Sequence, residues 1–254
     1  MLTISLEVGA ADLAVVIDDV GYNKVRGMRA ISLPGPVTIA VLPFAPHTSS
    51  LIQHASLVGK DVIVHQPMQP RPSPQVRDEQ DTLTLAMSAE EFDAAISRAL
   101  DAVPMRVGLS NHTGSLLTQH HLPMARLMSQ LQERGLFFLD SRTSAETVAL
   151  QVAHDSGVPA LKRDVFLDHD RSPHAIDRAF QQALTIARRN GHAVLIGHPY
   201  TVSLEFLEDR LRELPADIEL VNAADLAKRG RQPPYPTILA QPPGLSSLRI
   251  SPGR

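Results

Sequence analysis

With 254 residues, of which 43% are apolar, the chain is long enough to bury one large α/β core, and no internal boundary divides it. Lys plus Arg at 24 against Asp plus Glu at 27 give a net charge of -3 with the basic residues scattered, which argues against nucleic acid as a partner. Cysteine is absent, which excludes thiolate catalysis, disulfides and Cys-type zinc sites and leaves His and carboxylate as ligands for any transition metal.

Residues 1–11 (MLTISLEVGAA) read as an N-terminal extension; no signal peptide is visible in them, since they have neither a basic n-region nor an ordinary apolar h-region. No run reaches the roughly 18 apolar residues that an integral membrane segment needs. Residues 13–17 (LAVVI) form a short, wholly apolar, β-branched run, as expected of a strand covered on both faces in a parallel sheet, and the run stops at Asp18. Similar runs follow at 37–42 (VTIAVL), 61–64, 106–109, 136–139 (LFFL), 165–167, 193–196 (AVLI) and 218–221. Helical periodicity lies between them, at 24–31, 48–58, 122–134, 202–211 and 223–229. Ser88 and Glu91 have the capping-box spacing ahead of Phe92, Ile96 and Leu100, and a helix over 173–190 is expected to stop at Gly191. This alternation predicts a closed or nearly closed β/α barrel over 12–230.

Two segments break the alternation. Residues 66–82 (QPMQPRPSPQVRDEQDT) read as a long surface loop leaving the third strand, where α/β folds carry substrate-binding elements. Residues 231–254 are a Pro-rich C-terminal tail, read as an extended strap or as disordered.

The chemistry gathers where the apolar runs end, at Asp18, Asp19, His65, Asn111, His112, Asp140, Asp168 and His198. Strand ends that point the same way form one rim, so residues over a hundred positions apart can meet. Adjacent residues at a strand end are expected to point to different sides, so one of the two neighbouring Asp residues can ligate a metal while the other faces substrate as a base. A divalent cation would relieve the repulsion between them. The alternative is a surface turn ahead of Gly21. His65 and His112 are each readable alone as hydrogen-bonded rim residues. Jointly, Asp19, His65 and His112 supply three N/O ligands and leave positions open for water and substrate. Zinc is the first expectation for this set, with iron, cobalt, nickel and manganese open. His198 reads as a proton donor, a fourth ligand, or an imidazole satisfied by a backbone carbonyl.

The runs AVVIDDVGYN, VTIAVLPFAPHT, DVIVHQPMQP, VGLSNHTGS, FFLDSRTS, RDVFLD and AVLIGHPY resemble, in order and spacing, the divergent polysaccharide deacetylase family, the YibQ-like branch related to NodB-type carbohydrate esterases. The resemblance covers roughly residues 12 to 228. It implies a distorted (β/α)7 barrel and metal-dependent removal of acetyl groups from a polysaccharide or peptidoglycan-like glycan. It places Asp18 as base, Asp19 and His65 as ligands, and His198 as acid, through the approximate Leu-x-His element at 195–198. The family's second ligand histidine falls on Gln69, so His112 must complete the set or the metal must bind loosely. No clean match exists for the family's base-orienting Arg element, for which Arg142 and Arg163 are the candidates. Gln69, Asn111, Asp140, Arg142 and Asp168 are expected around the sugar. A glycan substrate implies the periplasm or cell envelope, and the oligomeric state is left open. The rival readings are a metal-dependent hydrolase of another ester, and a barrel that binds a glycan or partner without turnover.

Overall fold

The computed structural model describes residues 10–72, 79 and 81–229; the first nine residues of the expected N-terminal extension and the whole Pro-rich tail lie outside them. The strands are β1 (Ala11–Val20), β2 (Thr38–Val41), β3 (Val62–Met68), β4 (Gly108–Thr113), β5 (Phe137–Asp140), β6 (Ala160–Lys162), β7 (Val165–Phe166), β8 (His192–Gly197) and β9 (Ile218–Val221). All ladders between them are parallel. The helices are α1 (Lys24–Ile31), α2 (Thr48–Leu57), α3 (Ala89–Asp101), α4 (His121–Glu133), α5 (Ala149–Asp155), α6 (Pro173–Asn190), α7 (Thr201–Arg210) and α8 (Ala223–Arg229). The expected capping box forms, with Ser88 accepting from the Glu91 amide and the Glu91 carboxylate accepting from the Ser88 amide. Helix α6 ends at Gly191 in the left-handed conformation, as its sequence predicts.

The sheet runs β6-β5-β4-β3-β2-β1-β8-β7, with β9 also on β1. Its two outer members are halves of one chain segment, interrupted at Arg163 and Asp164. The first half pairs with β5 and the second with β8. That segment carries the sheet round and makes the curled, distorted β/α barrel that the family resemblance implies.

Side-chain parity sorts the core. Leu13, Val15 and Ile17 of β1 belong to a cluster shared with α1 to α7, whereas Ala14 and Val16 belong to a second cluster with Ala40, Ile63, Phe137, Leu139, Val194, Ile196 and α8. The first set is the layer between sheet and helices; the second fills the barrel. Burying each large aliphatic side chain contributes roughly 1.5–3 kcal/mol, which holds the strand ends in place. Because side chains alternate with period two, the inward series 14, 16 continues to Asp18, the series from Ile63 to His65, and the series from Val194 and Ile196 to His198. The polar rim is therefore the end of the apolar barrel filling.

Candidate metal centre and catalytic rim

Parity alone would point Asp19 away from Asp18, into the helix layer. The backbone prevents this. The β1–β2 register shifts between Ile17 and Val20, and Asp19 takes a left-handed φ of 57°. Both carboxylates consequently reach the same imidazole, with Asp18 Oδ2 3.6 Å and Asp19 Oδ1 3.2 Å from His65 Nε2. The expectation that the two neighbours face different sides is thus corrected. Gly21, at φ 147°, lets the chain leave this bulge: a Cβ there would lie 2.6 Å from Ala45 Cβ and 2.8 Å from Thr48 Oγ1.

His65 is buried, and its Nδ1 lies 2.7 Å from Ser110 Oγ, a contact set by the register that pairs His65 with Ser110. This leaves Nε2 toward the carboxylates. His112 approaches from the end of β4, with Nδ1 2.8 Å from Asp19 Oδ1 and Nε2 3.5 Å from Glu79 Oε1. Ligand atoms of Asp19, His65 and His112 all lie within 4.8 Å of one another. Asp18 Oδ1 is buried without a hydrogen-bond partner among the described residues. One carboxylate and two imidazoles, with an unpartnered buried oxygen of Asp18 beside them, fit a divalent transition-metal ion.

The electrostatics divide the two aspartates. Burial pushes the Asp18 carboxyl above its ordinary range, and nearby His65 and His198 only partly offset this. Burial would raise Asp19 too, but His112 and His65 outweigh it and hold Asp19 well below the usual carboxylate range. Burial opposes charge on His112, yet Asp19 and Glu79 prevail and raise it to about 10.

Across the rim, His198 presents Nε2 3.9 Å from Asp19 Oδ2, while its Nδ1 lies 2.8 Å from Asp168 Oδ1. Asp168 also accepts from the His198 amide at 2.7 Å and from Ser203 Oγ at 2.7 Å. Burial would lower the pKa of His198, but the Asp168 carboxylate raises it. Asp168, expected against the sugar, instead orients an imidazole.

Three further expectations change in the same way. Asn111 and Asp140 follow Leu109 and Phe138 in parity, so both sit on the helix side of the sheet. Asn111 accepts from the Ser141 amide and donates to the Thr113 carbonyl. Asp140 accepts from the Arg142 amide and from Thr147 Oγ1. Gln69 Oε1 accepts from the Leu85 amide at 2.8 Å, tying down the long loop. Arg142 has a left-handed φ of 48°, and its carbonyl accepts from Arg163 Nη2. The sequence reading did not single out Glu79, Ser110 or Ser203. Glu79 lies in the loop that it expected to bind substrate, and Ser110 shares the inward parity of His112.

Fold and rim together define a β/α barrel in which a paired-Asp, two-His centre faces a His–Asp dyad. The profile of the divergent polysaccharide deacetylase family matches residues 15–227, and the chain belongs to that family. It is 37% identical over 236 residues to an uncharacterised protein of Haemophilus influenzae, covering 92% of this chain and 84% of that one. It is likewise 37% identical over 226 residues to the uncharacterised protein YibQ of Escherichia coli, covering 89% and 70%. Among solved structures, an uncharacterised protein of Agrobacterium tumefaciens C58 has the same fold, with a TM-score of 0.82 at 24% identity over 87% of this chain and 90% of that one.

Proposed function

We propose that this protein is a metal-dependent deacetylase acting on a polysaccharide or peptidoglycan-like glycan of the periplasm or cell envelope. The observation that carries the reading is Asp19 Oδ1, placed 2.8 Å from a nitrogen of His112 and 3.2 Å from a nitrogen of His65 with Asp18 beside it. Asp19, His65 and His112 would hold the cation, for which zinc is the first candidate. When bound, it supplies Lewis acidity toward an acetyl carbonyl.

The chain's own residues provide the proton transfers. Asp18, buried beside Asp19 and His65 with its pKa raised by burial, is placed to take the proton of the attacking water. His198 is held through Nδ1 by Asp168, so its Nε2 faces the centre and its proton is retained. It delivers that proton to the departing amine or alcohol. Asp168 and Ser203 act on His198 and position it. Gln69 has its side-chain oxygen on Leu85, so the scheme does not depend on it as a ligand.

The test is metal analysis of the purified protein followed by acetate release from acetylated chito-oligosaccharide, peptidoglycan and O-acetylated glycans. Wild type is expected to carry metal and release acetate. Asp18→Asn is expected to keep metal and lose turnover, and His112→Ala to lose both. A wild-type protein that takes up metal but releases no acetate from any glycan contradicts the deacetylase reading.

A further inference from the structure

Each of the three imidazoles on the rim has a partner behind it. Ser110 stands behind His65 and Asp168 behind His198. Behind His112 stands Glu79: Nδ1 of His112 faces Asp19, and its other ring nitrogen, Nε2, lies 3.5 Å from Glu79 Oε1. The two side chains are only 20% and 23% exposed, so the contact is covered, unlike solvent-screened surface pairs such as Arg212 with Asp209.

The backbone around Glu79 is tied down from several sides. Its carbonyl accepts from Thr82 Oγ1 at 2.7 Å and from the Thr82 amide at 3.2 Å. Asp81, with a left-handed φ of 55°, pairs both carboxylate oxygens with Arg98 of α3, and its carbonyl accepts from Nε2 of Gln66, the buried neighbour of His65. Leu83 is fully buried and bridges to Met68 at the end of β3, its amide donating to the Pro67 carbonyl and its carbonyl accepting from the Gln69 amide. The returning end of the long loop is thus fastened to β3 and α3, and this anchorage presents Glu79 to His112.

Glu79 is not one of the ligand group: the atoms within 4.8 Å of one another belong to Asp19, His65 and His112. A carboxylate against Nε2 favours the tautomer with its proton there, which fixes the ring and leaves the Nδ1 lone pair for a cation. We infer that Glu79 is the positioning residue of His112, and that through it the bound cation and the loop end at Asp81 to Leu83 stabilise one another. This rests on the reading of Asp19, His65 and His112 as holders of a cation.

Zinc affinity of the full chain, measured by competition with a coloured chelator and without any glycan, tests the assignment. Glu79→Gln, which keeps an oxygen for the Nε2 proton, is expected to bind zinc about tenfold more weakly, and Glu79→Ala up to about a hundredfold more weakly. Glu213→Gln, an equal loss of charge ahead of β9, should match wild type. Zinc should also slow hydrogen exchange of the Thr82 amide in wild type and leave it unchanged in Glu79→Ala. Zinc bound equally by wild type and Glu79→Ala, a loss matched by Glu213→Gln, or Thr82 exchange indifferent to zinc in wild type overturns the assignment. A loss as large as that of His112→Ala also overturns it, since it would make Glu79 a ligand. Wild type that binds no zinc removes the metal centre and this inference together. Glu79-dependent zinc binding in a protein that releases no acetate leaves the inference standing and removes the deacetylase.

Discussion

His65 and His198 stand on the same rim at the ends of inward-facing series, yet their far nitrogens are held differently. His65 Nδ1 meets the neutral hydroxyl of Ser110, and His198 Nδ1 meets the carboxylate of Asp168. A neutral partner fixes the ring and leaves the other nitrogen free to act as a ligand; a carboxylate fixes the ring and also favours its protonated form. In the proposed scheme His65 accordingly serves as a ligand and His198 as the proton donor. The difference lies in the residues behind the imidazoles.

The strongest way to break this division is Asp18→Asn. Turnover should fall about a thousandfold while metal affinity stays close to wild type, checked by acetate release and metal titration. The same substitution should raise the thermal midpoint near neutral pH. The folded-state pKa of Asp18 lies above its ordinary 3.8, so ionising it costs stability that grows as pH rises through the folded value, and Asn removes that cost. Next in size, His112→Ala should weaken metal binding by more than the roughly 100-fold that outer partners of a ligand carry, with activity following metal occupancy.

Asp168→Asn sharpens the proton side. It should cost about tenfold to a hundredfold in turnover and move the alkaline limb of the pH profile to lower pH, because the carboxylate that raises His198 is gone. Ser110→Ala sharpens the metal side, costing about tenfold in metal affinity with the alkaline limb unmoved. The smallest effect is on stability. His112 is raised from 6.5 to about 10 in the folded chain, so its contribution is fully present below about pH 6.5 and is lost as pH rises toward 10. The midpoint of chelator-treated protein should therefore fall by a few degrees over that window. Metal binding, which needs the neutral imidazole, should tighten over the same window.

Much of the architecture was legible because its cause is local. Apolar β-branched runs became β1, β2, β3 and β8, and the Ser88–Glu91 pair became a closed capping box. The segment from α5 to β6 was missed: seven helical residues are too few to display periodicity, and Ala-Leu-Lys carries no β-branched signal. The convergence of Asp19, His65 and His112 was readable from strand ends, whereas the bulge that turns Asp19 inward was not, because a left-handed φ at Asp leaves no mark on hydrophobic pattern. Counting parity back from the apolar runs would have placed Asn111 and Asp140 on the helix side from sequence alone. Glu79 meets His112 from a loop without periodicity, and nothing in its local sequence announces that contact.

The central claim is that one cation is shared by Asp19, His65 and His112 with Asp18 at its side. A crystal soaked in zinc and measured at the zinc absorption edge tests it directly. The account predicts a single strong anomalous peak within bonding distance of all three side chains, lost in His112→Ala. A peak elsewhere on the molecule, or none between those side chains at saturating zinc, would contradict it.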